Sequence, residues 1–126
     1  MSWTIEYNSD LKIIVVTCGG AWTPELDMAM LADLVRGAGH YRCNSLLVDH
    51  RKSRMNFTFM TTFKRPDVYA GLGFSRDTKA ALVWNKLVKD FLFFENVCVN
   101  RGRNVKVFDN HEAALCWLVY DARCPG

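Results

Sequence analysis

An aspartate and a histidine stand side by side where a short apolar run of the chain ends. Residues 46–48 are followed directly by Asp49 and His50, and another carboxylate, Asp109, follows a later apolar run. Carboxylates at the ends of parallel strands often serve as general acids or bases. Structural roles account for the same residues, because Asp109, three positions before Glu112, fits a helix N-cap, and Asp49 can accept hydrogen bonds from nearby N–H groups. We therefore assign no catalytic residue.

Positively charged side chains are concentrated in the segment that follows Asp49. They are Arg51, Lys52, Arg54, Lys64 and Arg65. A solvated basic face is the simplest interpretation. The alternative is a surface for an anionic partner: an acidic protein surface, a phosphorylated ligand or a membrane headgroup. The net charge of +3 is too small to predict nucleic-acid binding.

Two tryptophans stand at, or just past, the ends of two predicted strands. Tryptophan usually contributes half-buried packing, and the alternative here is a pocket walled by Trp22 and Trp84 over Asp49. The predicted ligand- or partner-binding site consists of Trp22, Asp49, His50, Arg51, Arg54, Trp84 and Asn85.

Cofactor and metal chemistry find no support in the motifs. The sequence has no nucleophile elbow, P-loop or dinucleotide-binding glycine motif, no C-x-x-C and no histidine pair at i and i+4. We predict no cofactor and no metal site. Five cysteines, an odd number in a chain that can build its own core, fit a reducing compartment, and Cys18, Cys98 and Cys116 are expected to be small core fillers.

The chain termini and apolar runs predict a cytoplasmic protein. The N-terminus lacks the basic and apolar regions of a signal peptide, and no apolar run approaches the roughly 20 residues that span a bilayer. At 126 residues the chain is long enough for one domain with a single core.

Hydrophobic periodicity and turn residues predict alternating strands and helices. The predicted strands are 3–7, at an edge, 11–18, in the centre, 46–48, 79–84 and 105–108. The predicted helices begin at Thr23–Glu25, lie within 57–74 and within 87–101, and begin at Asp109. Gly19 and Gly20 are expected to end the second strand, and Gly37 and Gly39 the first helix. The crossovers require a mostly parallel sheet.

The motifs near both ends resemble one known superfamily. Residues 95–118, ENVCVNRGRNVKVFDNHEAALCWL, are similar to the C-terminal signature of the SpoIIAA-like branch of the STAS domains (sulfate transporter and anti-sigma factor antagonist). The pattern WTIEY, a turn, an apolar strand, G-x-x-T and a helix is similar as well. The resemblance covers nearly the whole chain. It implies a single STAS-like domain over 1–126, with a mostly parallel five-stranded α/β sheet, an antiparallel N-terminal edge strand and about four helices, and a non-enzymatic role that includes pairing with itself or a protein partner.

One functional element of that superfamily is missing. Typical anti-sigma factor antagonists carry a phosphorylatable serine in a D-S-[ST]-G-like turn after the third strand, where a helix N-terminus can hold a phosphate. The corresponding residues here read DHRKSRMNFT, in which Ser53 has no glycine beside it. We therefore predict that no phosphoserine switch operates at this position.

The aromatic content of two crossovers exceeds what a sheet-covering helix needs. Residues 91–94, FLFF, spread over about 300° of a helix, and 57–63 show a similar excess. We predict an exposed aromatic ridge centred on Phe59, Phe63, Phe93 and Phe94. This ridge would serve as a homodimer interface or as the lining of an apolar ligand site.

The sequence thus favours a binding or regulatory module that engages a protein partner or itself. The alternative is a carrier or sensor of a small apolar or anionic, lipid-like ligand, and an enzyme of unknown reaction ranks third. Peripheral contact with a membrane surface stays open.

Overall fold

The alternating pattern folds into an α/β structure with a five-stranded mixed sheet. The computed structural model describes residues 3–55, 71–85 and 89–120. Its strands are β1 (Trp3–Asn8), β2 (Ile13–Trp22), β3 (Ser45–Met55), β4 (Lys79–Val83) and β5 (Asn104–Phe108), and its helices are α1 (Pro24–Tyr41), α2 (Lys89–Asn100) and α3 (His111–Tyr120). The predicted fold class is confirmed, but these residues contain three helices rather than about four. The helix predicted within 57–74 lies mostly outside the described residues.

From β2 onward, each strand lies next to the strand that precedes it in the chain, and always on the same side of it. The strand order is β1-β2-β3-β4-β5, in which β1 pairs with β2 in antiparallel fashion and all other pairs are parallel. The edge position predicted for β1 is confirmed. The prediction that residues 11–18 form the central strand is wrong. These residues belong to β2, which is second in the sheet, and the central strand is β3.

The two faces of the sheet carry different helices, because successive side chains of a strand point to opposite faces. We call the face covered by α1 and α2 the α1/α2 face and the opposite one the α3 face. Ile14, Val16, Leu46 and Val48 are buried on the α1/α2 face. Those on the α3 face include Ile13, Leu47, Ala81, Val83, Trp117 and Leu118. Both faces of the central strands are therefore covered, as a parallel sheet requires.

The two glycines predicted to end β2 lie inside it. The pairing of β2 with β3 continues to Trp22 opposite Met55, with a β-bulge where the register passes from Thr17 to Gly19. Gly20 within this stretch has φ of 84°, a conformation that other residues rarely adopt. The extra hydrogen bonds to a long partner strand hold the glycine segment in the sheet.

Helix α1 begins as predicted. The Thr23 hydroxyl accepts a hydrogen bond from the N–H of Leu26 at 3.1 Å, and Pro24 occupies the first turn, where its missing N–H costs nothing. Asp27, the charged residue on the apolar half of this helix, is buried. Its Oδ1 accepts a hydrogen bond from Trp22 Nε1 at 2.9 Å, which offsets part of the cost of burying this side chain.

The end of α1 differs from the prediction. The helix passes Gly37 and Gly39 and ends at Arg42, whose φ of 52° is left-handed. The N–H of Cys43 closes the helix by donating to the carbonyl of Ala38 at 2.9 Å. A Cβ atom on Gly37 would lie 3.9 Å from Ile5 Cγ2, an ordinary contact distance that places this turn of α1 against β1.

Two of the three cysteine predictions are confirmed. Cys18 and Cys98 are buried and form no disulfide. Cys116 is disulfide-bonded and only half-buried, so its prediction as a small core filler is wrong. No helix among the described residues is long and apolar enough to cross a membrane. The cytoplasmic location stays a prediction.

Candidate functional site

The polar residues expected just after β3 lie inside that strand. The ladder between β3 and β4 ends where Asp49 pairs with Val83, but β3 continues to Met55 because β2 still pairs with it. Asp49 and His50 are neighbours in an extended strand, so their side chains point to opposite faces of the sheet. Asp49 lies on the α3 face and His50 on the α1/α2 face, which separates the two halves of the predicted site.

Asp49 is held by Arg51. The guanidinium donates from Nε to both carboxylate oxygens at 3.0 and 3.2 Å and from Nη2 to Oδ2 at 2.7 Å, and the backbone N–H of Arg51 donates to Oδ1 at 3.0 Å. Burial by itself would raise the pKa of Asp49, but these hydrogen bonds, with the charges of Arg51 and His111, bring it below 3.8. Asp49 is therefore an ionised, neutralised carboxylate at neutral pH and a poor general base.

His50 is enclosed by aromatic rings. Its imidazole stacks on Trp84 at 5.6 Å between centroids, meets Trp22 edge-on at 5.1 Å, and places Nδ1 3.0 Å from Ser53 Oγ. The residue is only 4% exposed. Burial lowers the pKa of His50 from 6.5 to about 4, although the charge of Asp49 acts in the opposite direction. His50 is thus a neutral core residue at physiological pH.

The two tryptophans enclose His50 rather than a pocket over Asp49. Trp84 also stacks on Phe91 at 4.0 Å, and Trp22 meets Trp3 edge-on at 6.2 Å. Both Trp22 and Trp84 are buried. They belong to the core because their rings fill the space between the sheet and the helices of the α1/α2 face.

Asn85 and Arg54 are both exposed, at the ends of β4 and β3. Asn85 Nδ2 donates a hydrogen bond to the carbonyl oxygen of Arg51, which ties the end of β4 to β3 beyond their shared ladder. Arg54 is exposed near the end of β3. Ser53, the residue before Arg54, is half-buried in β3 with its hydroxyl against His50.

The start of α3 corrects the assignment of Asp109. Helix α3 begins at His111, and the side chain that caps it is Asn110, whose Oδ1 accepts a hydrogen bond from the N–H of Ala113 at 3.0 Å. Asp109 lies one residue too early to cap. Together with Arg51 and Glu112, these residues line an open groove at the end of the sheet. The sequence DNHEA permits either residue as the cap.

The predicted aromatic ridge is only partly described. Phe93 lies exposed on α2, but Phe94 is buried against the sheet and contributes to the core. Phe59 and Phe63, with Lys64 and Arg65, lie outside the described residues. The apolar side chains that α2 does expose are Leu92, Phe93 and Val99.

A buried arginine is the functional candidate that the sequence did not single out. Arg103 donates from Nη1 to the carbonyl oxygens of Phe74 and Ser75, both at 2.9 Å. Its side chain borders an apolar cavity of about 40 Å³, whose other lining residues include Leu34, Leu46 and Leu82. In the sequence, Arg103 stands between Gly102, which ends a helix, and the strand β5. Neither neighbour predicts that an arginine side chain is buried.

Metal binding has no structural support in the part of the chain that the structure describes. No group of three or more histidine, cysteine, aspartate or glutamate side chains there could hold an ion. No protein-family model matches the chain, and no curated protein matches it. The similarity to STAS domains rests on the sequence motifs.

Proposed function

We propose that the protein is a non-enzymatic STAS-like binding module that engages another protein chain, either a second copy or a different protein, through the outer side of α2. The observation that carries the proposal is a set of exposed apolar side chains on this helix. Leu92 and Val99, seven residues apart and therefore on the same side, are 44% and 54% exposed. Phe93, next to Leu92 in the sequence, is 39% exposed. Three exposed apolar side chains on one helix favour contact with a partner over simple solvation.

The state of the polar groups argues against catalysis. An acid–base mechanism needs a titratable group near neutral pKa within reach of a substrate. The carboxylate of Asp49 forms an ion pair with the guanidinium of Arg51, and the imidazole of His50 is buried against two indole rings. The two groups also lie on opposite faces of the sheet, so they cannot act on one substrate atom.

Purification from the native host tests this function. The tagged wild type is compared with Leu92→Asp and with a matched control, Met28→Asp, whose side chain on α1 is 40% exposed. We expect mass spectrometry to find one protein in stoichiometric amount with the wild type and the control but not with Leu92→Asp. A second copy of the chain would appear as a homodimer in light scattering. A partner retained equally by all three proteins would contradict the proposal.

The second candidate function is a carrier of a small anionic, lipid-like molecule, and the cavity beside Arg103 favours it. Among the described residues, the buried guanidinium of Arg103 donates hydrogen bonds only to carbonyl oxygens. Such a guanidinium can also donate to the carboxylate of a ligand. The size of the cavity weighs against this function, because about 40 Å³ is far below the roughly 300 to 1,000 Å³ of typical ligand sites. A stoichiometric fatty acid in native mass spectra, lost in Arg103→Met, would favour the carrier over the protein-binding module.

A further inference from the structure

Strands β2 and β3 continue together beyond the end of β4. Their pairing runs from Gly19 opposite Lys52 to Trp22 opposite Met55, whereas β4 stops at Val83 opposite Asp49. We call residues 19–22 and 52–55 the β2–β3 extension. In the described part of the chain, this stretch of β3 has a strand on one side only.

The β-bulge places successive cations of β3 on one face. Between the pairs Thr17 with Asp49 and Gly19 with Lys52, β2 advances by two residues and β3 by three. The extra residue lets Arg51 and Lys52 point to the same side, which regular alternation forbids. Arg51 reaches the carboxylate of Asp49, which lies on the α3 face.

The position of Lys52 follows from its partner across the ladder. A Cβ atom built on Gly19 would lie 3.8 Å from Lys52 Cβ, so the lysine projects on the side of Gly19. That side is the α3 face, because Cys18, the preceding residue, is buried on the α1/α2 face. Arg54, opposite Ala21, falls on the same side two residues later.

This cationic surface is open. Lys52 and Arg54 are exposed, and among the described residues neither takes part in an ion pair. The residues opposite them, Gly19 and Ala21, are too small to cover the strands. Among the described residues, the extension therefore combines two cations outside any ion pair with a strand edge that no further strand covers.

We propose that the β2–β3 extension binds an acidic peptide segment in extended conformation. The peptide pairs with the free edge of β3 through its backbone, and its carboxylates contact Lys52 and Arg54, with the exposed part of the Arg51 guanidinium beside them. Main-chain pairing at a sheet edge supplies affinity, and alternate side chains supply specificity. Complementary charge adds selectivity and speeds association.

The number of cations favours a peptide over other anions. Recognition of anionic lipid by basic clusters typically uses 4 to 8 Lys and Arg residues, and nucleic-acid affinity comes from many neutralised phosphates. Among the described residues, three cations lie within four positions of one strand, and this number matches two or three carboxylates of one extended peptide instead. The surface lies on the α3 face, opposite α2, so it goes beyond the proposed function and either can fail without the other.

Fluorescence anisotropy with synthetic peptides tests the inference. The probe is a labelled nine-residue peptide of alternating glutamate and threonine, and its matched control carries glutamine for glutamate. We expect the wild type to bind the acidic peptide saturably and to show no binding to the glutamine peptide. The affinity for the acidic peptide should fall as the salt concentration rises. Lys52→Gln/Arg54→Gln should bind about tenfold more weakly, corresponding to two exposed charge contacts.

A double variant of equal charge change controls for net charge. Lys12→Gln/Lys106→Gln removes two exposed cations outside the extension and should bind within about twofold of the wild type. Absence of saturable binding, equal binding of both peptides, or an equal loss in both double variants would overturn the inference. Tighter binding to vesicles with 30% phosphatidylserine than to the peptide would also overturn it, in favour of a membrane. Co-purification through α2 that persists without peptide binding would leave only the proposed function standing.

Discussion

Acidification is expected to weaken folding through the buried imidazole of His50. The residue packs between Trp22 and Trp84 and is neutral in the folded protein, with a pKa of about 4 instead of 6.5. In the unfolded chain the imidazole is in water and titrates near its ordinary pKa. Between pH 6.5 and 4 the unfolded state therefore binds more protons than the folded state, and the free energy of unfolding falls as the pH falls.

The size of this effect follows from the difference between the two pKa values. At about 1.36 kcal/mol per pKa unit, a difference from 6.5 to about 4 has a ceiling of about 3 kcal/mol. From pH 7 down to pH 4.5, the expected loss is about 2.5 kcal/mol. Asp49 acts in a separate window, because its lowered pKa stabilises the fold above 3.8 and that contribution is lost only as the pH falls further. The contribution of His50 is therefore isolated by comparing the wild type with a variant that lacks the imidazole.

Urea unfolding followed by tryptophan fluorescence provides the assay. With an m-value of about 1 to 2 kcal/mol/M, the midpoint should move by about 1.2 to 2.5 M urea between pH 7 and 4.5. His50→Gln removes the titrating group and should flatten this dependence, whatever its stability at pH 7. His40→Gln removes an exposed histidine of α1 and should leave the dependence as in the wild type. A fall in stability that His50→Gln retains in full would refute the reasoning.

Three further substitutions test local features of the fold by urea unfolding. Asn110→Ala should lower the free energy of unfolding by about 1 kcal/mol because it removes the cap of α3, and Asp109→Ala by less than half of that. A larger loss of unfolding free energy in Asp109→Ala than in Asn110→Ala would indicate that Asp109 is the cap. Arg51→Met should cost about 1 to 2 kcal/mol because it leaves the Asp49 carboxylate without its partner, and a double-mutant cycle with Asp49→Asn should show coupling; additive losses would contradict the pair. Gly102→Ala should cost about 1 kcal/mol because φ there is 80°, and an unchanged midpoint would contradict the strain.

The sequence predicted the elements better than their ends. Alternation in β1 and the Thr23–Pro24 start of α1 are local signals, and the structure confirms both. The ends of β2 and β3 depend on each other, because each strand supplies the hydrogen-bond partner that extends the other. No local pattern reveals that glycines at 19 and 20 face a long partner strand.

The candidate site illustrates the same dependence. The sequence places Asp49 and His50 directly after the apolar run 46–48, and this position predicts that both lie at the end of a strand. Once β3 extends to Met55, strand geometry sends them to opposite faces. The bulge that brings Arg51 and Lys52 together is a property of the strand pair, so it leaves no signature in either strand alone.

The mass of the particle that the protein forms in its native host tests the proposed function most directly. Light scattering of the tagged protein purified from that host should give a mass above the 14.4 kDa of a single chain. Leu92→Asp should return the particle to the single-chain mass, because a buried aspartate in the contact surface lacks a partner. A single-chain mass for the wild type, or a larger mass that Leu92→Asp leaves unchanged, would contradict a binding surface on α2.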